Sequence, residues 1–550
     1  MITAPEIAFI AIIWLIVIVV GWLLAGFMYT IYSGRKSRLD RIFSPVERVF
    51  FRISGVDPTK DMTWKQYFIS LLLLNSVQAA FAFLILSYQS FLPLNPQHFP
   101  DMSWSLALNT ALSFSANCDL QHYAGENSLS YFSQMMAITF LQFTSAASGM
   151  SVAVAIFRGF SGKFQGLGNF YSDFIKSIVR VLLPISFIAS IVLVSTGIPQ
   201  TLNGYVLANT ISGGTEILKV GPVASMTSIM QLGTNGGGYF GANSAYPFEN
   251  PNPISNWIEV VLMMVIPTAF PFLFGRMVGN KKEGNVLLFT SYMLYAIDLA
   301  VAFIALSSLN RGMEARLGVF SSVFWTVTTT AFTTGSVNAS LAGMNPLVVL
   351  SAFMGMLIQA TPGGAGVGTM YMLMYVVMTV FIVGLMAGRT PEYLGSKITP
   401  SDVKLAMVAF ISHPIIILLP TIIVFASGVA SSAGIGRGPI GFSEVFYEYT
   451  SAAANNGSDF LGTAGNTVFF NVSTGIVIWL GRFIPILVML NIAGNMNSRI
   501  RNFEEGLKTD NILFAAILLF SITILVILTF FPFLVIGPLL AYLEGIQNAL

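Results

Sequence analysis

Long apolar runs alternate with short polar segments along this chain in the manner of a membrane-spanning helix bundle. Runs of roughly 20 residues or more, enough to cross a hydrocarbon core as a helix, fall at Ile7–Tyr32, Tyr67–Phe91, Tyr131–Phe157, Phe174–Gly197, Ile254–Gly275, Val286–Leu306, Pro346–Ala387, Val403–Ala430, Thr467–Gly494 and Ile512–Leu543. They predict about ten spans. Four further apolar runs, Trp104–Phe114, Val223–Leu232, Phe320–Phe332 and Phe442–Ala454, are too short to cross. Each leads into a loop of small and amide residues: Ser115–Asp119, Gly233–Gly238, Thr333–Asn338 and Asn455–Ser458. These read as half-helices that enter the bilayer and return, because irregular backbone survives at membrane depth only where protein or a water-filled cavity covers it.

The order span, half-helix, loop, span recurs four times. The predicted fold class is therefore an all-α polytopic membrane protein with four helix–pore-loop–helix repeats in pseudo-fourfold symmetry and one extra helix at each end. The expected divisions are 1–62 (first helix and a basic cytoplasmic loop), 63–162, 163–282, 283–400 and 401–500 (repeats one to four, the third with a broken helix), and 501–550 (last helix).

Composition agrees with this setting: 55% of residues are hydrophobic and 9% charged, where soluble domains carry about a quarter charged. A net charge of +2, with no basic arm, gives no reason to expect nucleic acid. One cysteine, Cys118, excludes an internal disulfide, and His98, His122 and His413 are too scattered to suggest zinc. The first apolar run lacks a basic leader and reads as a retained helix. Of the 26 basic residues, 21 lie in alternate loops, which places those loops in the cytoplasm and both termini outside. Lys219, Arg311, Arg316 and Arg437 are assigned to the opposite loops, and Arg482 to the middle of a span.

The loops carry the candidate chemistry. Gly and Asn tolerate left-handed backbone, so such loops can turn carbonyl oxygens inward to replace a cation's water shell. Ala116, Asn117, Cys118, Asp119, Thr234, Asn235, Gly236, Thr334, Gly335, Ser336, Asn455, Asn456 and Gly457 are the candidate filter. The half-helices would aim their negative C-terminal ends at the ion, and Asp101, Asp119, Glu126 and Asp459 stand close by in sequence to attract cations. Neither Gly233–Gly238 nor Thr361–Gly368 has the strand and lysine of a phosphate loop. Instead Thr361, Pro362, Gly363 and Gly364 break a long apolar run below the third loop and are expected to gate or line the path. Arg482, expensive at mid-membrane, is expected to face a cavity and restrain ions.

Certain motifs carry a resemblance. Leu112-Ser113-Phe114 through Gln121, Tyr123 and Gly125-Glu126; Gln231 to Gly238 with Ala242-Asn243-Ser244 and Pro247 to Pro251; Gly388-Arg389-Thr390-Pro391-Glu392-Tyr393-Leu394-Gly395; and Asn455 to Ser458 together resemble the KdpA family, potassium-binding subunits of bacterial Kdp transport ATPases. The resemblance spans essentially the whole chain. It implies the fold of the superfamily of potassium transporters, K+ as bound substrate at the loops, Gln121 as filter support, and Arg389 with Arg482 among the gate and cavity residues. It also implies a bacterial plasma membrane and three partners: a KdpB-like P-type ATPase that uses the ATP, a KdpC-like single-span subunit and a small KdpF-like subunit. No organic cofactor, transition metal or catalytic site is expected in this chain, which has no Asp-Lys-Thr-Gly phosphorylation motif. Ala116-Asn117-Cys118-Asp119 departs from the family's usual Thr-Asn-Thr-Asn, so Asp119 is a candidate extra charge at the mouth. The competing reading is a stand-alone potassium channel or symporter of the Trk/Ktr type; the terminal helices and long motifs favour the pump subunit.

Overall fold

The computed structural model of the chain describes residues 2–37, 39–304, 316–501 and 506–547. The last two residues of the sixth predicted span, and Arg311, lie outside them. Ten helices among the described residues are long and apolar enough to cross a membrane. They are α1 (Ala4–Tyr32), α3 (Trp64–Ser87), α5 (Tyr131–Ser161), α6 (Phe170–Ser195), α8 (Pro253–Val278), α9 (Lys281–Ile304), α12 (Val367–Met386), α13 (Pro400–Ala426), α15 (Val468–Asn497) and α16 (Ile512–Gly545). Between them lie the short helices α2 (Asp40–Ser54), α4 (Trp104–Ser115), α7 (Val223–Leu232), α10 (Val319–Ala331), α11 (Pro346–Ile358) and α14 (Gly438–Ala454). Two small antiparallel hairpins, β1–β2 (Val206–Asn209, Thr215–Leu218) and β3–β4 (Glu392–Tyr393, Ser396–Lys397), complete the chain.

Side-chain caps start many of these helices. Thr63 and Gln66 form a reciprocal capping box at α3, and Asn252, Asn345 and Asn511 accept from first-turn amides of α8, α11 and α16. The long seventh run divides into α11 and α12 at the Thr361–Gly368 break. The expected basic loop after α1 is in part a helix, α2, because its apolar residues recur at helical rather than random spacing.

α5 and α15 form the centre. α5 is the most enclosed span, and α15 packs against α4, α5, α13 and α14. Small residues from Ser145 to Gly149 let neighbouring backbone approach α5 closely. A buried pair fixes its far end: Arg158 donates to both carboxylate oxygens of Asp173 (2.6 and 2.8 Å) and to the Tyr32 carbonyl, joining α5, α6 and α1. Removing one member of such a pair costs about 3–5 kcal/mol, since the other is left buried and unpaired.

Candidate functional site

The four short helices α4, α7, α10 and α14 end in one backbone pattern. Each ends in a three-residue pattern whose first residue is left-handed: Asn117 (φ 60°), Thr234 (50°), Thr333 (50°) and Asn455 (52°). The amide of the next residue returns to the carbonyl five positions earlier: Cys118 to Ser113 (3.1 Å), Asn235 to Met230 (2.8 Å), Thr334 to Thr329 (2.7 Å) and Asn456 to Ser451 (2.9 Å). This closure satisfies carbonyls that a helix end otherwise leaves unpaired. The third residue is Asp119 (φ 60°), Gly236, Gly335 (φ 91°) or Gly457 (φ 100°). Aspartate is one of the few side chains that visits this left-handed region without glycine's freedom, so the departure at Asp119 is compatible with its backbone.

The loops then converge. A β-carbon on Gly236 would lie 2.9 Å from the Asn456 carbonyl oxygen, 2.9 Å from that of Thr334 and 3.0 Å from that of Cys118. Three loops thus direct the carbonyl of their second residue at the third residue of the remaining loop. Gly335 likewise faces the Asn456 carbonyl at a distance that no side chain would fit, and Gly457 the Cys118 carbonyl. No hydrogen-bond donor reaches the carbonyls of Cys118, Thr334 or Asn456 among the described residues, and buried carbonyls without donors are uncommon.

Side chains brace this ring from behind. Gln121 makes two bonds to Gly238, donating to its carbonyl (3.0 Å) and accepting from its amide (2.9 Å). Gln142 donates to the Gly237 carbonyl (2.7 Å) and Asn243 to that of Gly236 (2.8 Å). Asn117 donates to the Thr234 carbonyl (2.8 Å), tying two loops together, and Asn456 to that of Thr329 (3.0 Å), tying the fourth loop to α10. Trp325 Nε1 donates to the Ser336 carbonyl (2.9 Å), and the Ser336 hydroxyl to Gln231 (2.9 Å). Gln231 in turn donates to Glu259 (2.8 Å), which also accepts from Ser244 (2.8 Å).

Two cavities flank the ring. The outer one is lined by Gln121, Gly236, Asn243, Gly335, Gly457 and Asp459 among others. The inner one, narrower, is lined by Asn117, Thr333, Asn455, Gly364, Tyr371 and Arg482. Arg482 donates to the Ser145 carbonyl (3.1 Å) and pairs with no carboxylate among the described residues. The break supplies the inner wall: the Gly363 amide donates to the Ala331 carbonyl (2.8 Å), the Ala365 amide to the Thr234 hydroxyl (2.9 Å), and the Thr361 hydroxyl to the Gly355 carbonyl (3.2 Å). Gln359 and Tyr371 also line a further narrow cleft, with Met374, Phe410, His413 and Phe530.

Several expected residues sit elsewhere. Arg389 does not join Arg482; it lines a separate cavity with Lys163, Glu283, Arg501 and Lys508, because the Gly388–Gly395 motif leads into the β3–β4 hairpin beyond the end of α12. Pro362 borders neither cavity of the ring. Ala116 caps α4 and is buried, and Ser336 points away from the converging carbonyls. The Asp119 carboxyl does not line the outer cavity: it is buried beside Gln142 and the Gly237 backbone. Of the four nearby acids only Asp459 lines the outer cavity. Glu126 instead accepts from the Gly241 amide (2.8 Å), and Asp101 from that of Ser90 (2.9 Å).

Sequence reasoning missed Gln142, Gln231, Asn243, Trp325 and the buried His122, whose ring nitrogens meet Asn471 (2.7 Å) and Glu448 (2.8 Å). Glu259 offered a signal, since a carboxylate within a span requires partners. No group of three or more His, Cys, Asp or Glu among the described residues is placed to hold a metal.

Ten helices long and apolar enough to cross a membrane, with the Cys118, Thr334 and Asn456 carbonyls converging on Gly236 and reached by no donor among the described residues, define a polytopic membrane protein. The model of the family KdpA, potassium-transporting ATPase A subunit, matches residues 11–543, and the chain belongs to that family. It is 44% identical over 539 residues to the potassium-transporting ATPase potassium-binding subunit of Caldanaerobacter subterraneus subsp. tengcongensis, covering 95% of this chain and 96% of the relative. It is 43% identical over 548 residues to the protein of the same description from Geobacillus kaustophilus, covering 96% and 98%.

Proposed function

We propose that the four loops form a potassium-selective filter of pseudo-fourfold symmetry, and that this chain is the non-hydrolytic, ion-selecting subunit of a Kdp-type pump. The convergence of the Cys118, Thr334 and Asn456 carbonyls on Gly236 carries this reading. Carbonyl dipoles at close quarters replace water around a monovalent cation, and the C-terminal ends of α4, α7, α10 and α14 add negative potential. By register, the Asn235 carbonyl is the fourth contributor. The filter opens through the Asp459-lined cavity to the outside of a bacterial plasma membrane, with both termini on that side, in keeping with the basic loops on the other.

Below the filter, Arg482 and Gly363–Ala365 close the direct descent. The ion leaves sideways past Gln359 and Tyr371 toward Phe410 on α13 and Phe530 on α16, helices on the lipid-facing flank. A KdpB-like P-type ATPase receives it there, spends the ATP, and is accompanied by KdpC-like and KdpF-like subunits. Anomalous scattering from Rb+ is the direct test: one or more ions on the axis among these carbonyls are expected, and Rb+ absent from the ring while uptake persists would overturn the assignment.

A further inference from the structure

Helix α2 carries a surface that the ion path does not use. At about 100° per residue, Asp40, Ser44 and Glu47 fall on one arc, Arg41, Arg48 and Arg52 on a second, and Ile42, Val46, Val49, Phe50 and Ile53 on a third. The first arc is clamped to the bundle. Arg180 of α6 donates to Asp40 (2.5 Å) and twice to Glu47 (2.5 and 2.7 Å), so one guanidinium holds both acids against the bundle. The second arc faces no carboxylate within ion-pair distance among the described residues. The third has little protein against it: Ile42, Val49 and Ile53 are each more than half exposed.

The clamp also fixes the height of α2. Arg180 lies three residues before Leu183, where the lipid-facing flank of α6 begins with Leu183, Phe187, Ile188 and Ile191, each at least half exposed. Three helical residues rise about 4.5 Å. The clamp therefore holds α2 within about one helical turn of that exposed apolar flank, and an exposed apolar arc bordered on one side by arginines there matches an anionic membrane surface in both polarity and charge.

We propose that α2 is an in-plane membrane anchor, its apolar arc seated in the hydrocarbon boundary and Arg41, Arg48 and Arg52 binding phosphates of anionic phospholipids. Each arginine near such a surface contributes about a fivefold preference for anionic over zwitterionic lipid.

The test uses the full chain in nanodiscs of phosphatidylcholine with and without phosphatidylglycerol. Nitroxide labels at Val49→Cys and Arg48→Cys, in a Cys118→Ser background, are read by collision with oxygen and with a water-soluble nickel chelate. The Val49 label should favour oxygen and the Arg48 label the chelate. Native mass spectrometry of the unlabelled protein should show phosphatidylglycerol retained over phosphatidylcholine, and the triple variant Arg41→Gln, Arg48→Gln, Arg52→Gln should lose at least tenfold of that preference. A Val49 label open to the chelate in either lipid overturns the proposal. So does a label shielded only once the ATPase subunits are added, which would make α2 a protein-docking helix, and so does unaltered lipid preference in the triple variant.

Discussion

Replacing Gly236 by alanine adds one methyl group where three carbonyls meet. Its backbone is not left-handed, so the substitution introduces no dihedral strain and acts through contact alone. The new carbon would stand 2.9, 2.9 and 3.0 Å from the Asn456, Thr334 and Cys118 oxygens, and relief to an ordinary contact of 3.4 Å requires each carbonyl to retreat by about 0.4–0.5 Å. Adding a methyl to a packed site typically costs about 1–3 kcal/mol. If that cost falls on the ion-bound ring, potassium affinity drops about five- to 150-fold, and K+/Rb+ discrimination narrows because the retreating oxygens no longer fit one ion radius. Gly364→Ala is the internal control. Its β-carbon would meet nothing nearer than the Thr234 hydroxyl at 3.4 Å, so affinity should stay within about twofold, since surplus space costs little. Calorimetric titration of the purified protein with K+ and Rb+ measures both. Unchanged affinity and selectivity in Gly236→Ala, with the protein folded, would refute carbonyl convergence as the origin of binding.

Glu249 is pushed by burial from 4.5 to about 8, although the Phe240 amide it accepts partly opposes the shift. Its proton is thus bound in the folded but not the unfolded protein between those values, and stability falls by about 1.4 kcal/mol per pH unit across that window; Glu249→Gln should flatten the decline of Tm from pH 5 to 8, and an unaltered slope would remove Glu249 from the titration. Arg482→Gln, by clearing the charge from the inner cavity, should loosen coupling of ATP hydrolysis to uptake or change ion occupancy in the assembled complex; wild-type affinity and coupling would leave the residue a purely structural role.

The spans and the four shorter helices were legible because length and apolar content alone separate a helix long enough to cross from a shorter one, and the four small-residue loops mark where carbonyls can turn. The Thr361–Gly368 break was readable because one Pro and four Gly fall within eight residues, whereas single prolines such as Pro267 and Pro414 stay inside their helices. Helix α2 was overlooked because three arginines and two acids make its segment look like a basic loop, although Ile42, Val46, Val49 and Ile53 already had helical spacing. Asp119 was misplaced since its left-handed backbone turns the carboxyl behind the loop, a direction that residue identity does not encode. The bracing by Gln142, Gln231, Asn243 and Trp325 joins helices distant in sequence, so no local pattern announces it. Arg389 was grouped with the gate from its motif, whereas the hairpin that the motif builds carries it away from the ring.

Reconstitution into liposomes tests most directly whether the filter feeds a partner rather than a through-pore. With Arg482 and the Thr361–Gly368 segment beneath the ring, the chain alone should bind potassium yet give neither ATPase activity nor sustained K+ flux down a gradient, and a P-type ATPase with its single-span companion should then confer ATP-driven uptake. Robust potassium-selective flux from the chain alone would contradict the pump-subunit reading and identify a self-sufficient Trk/Ktr-like transporter.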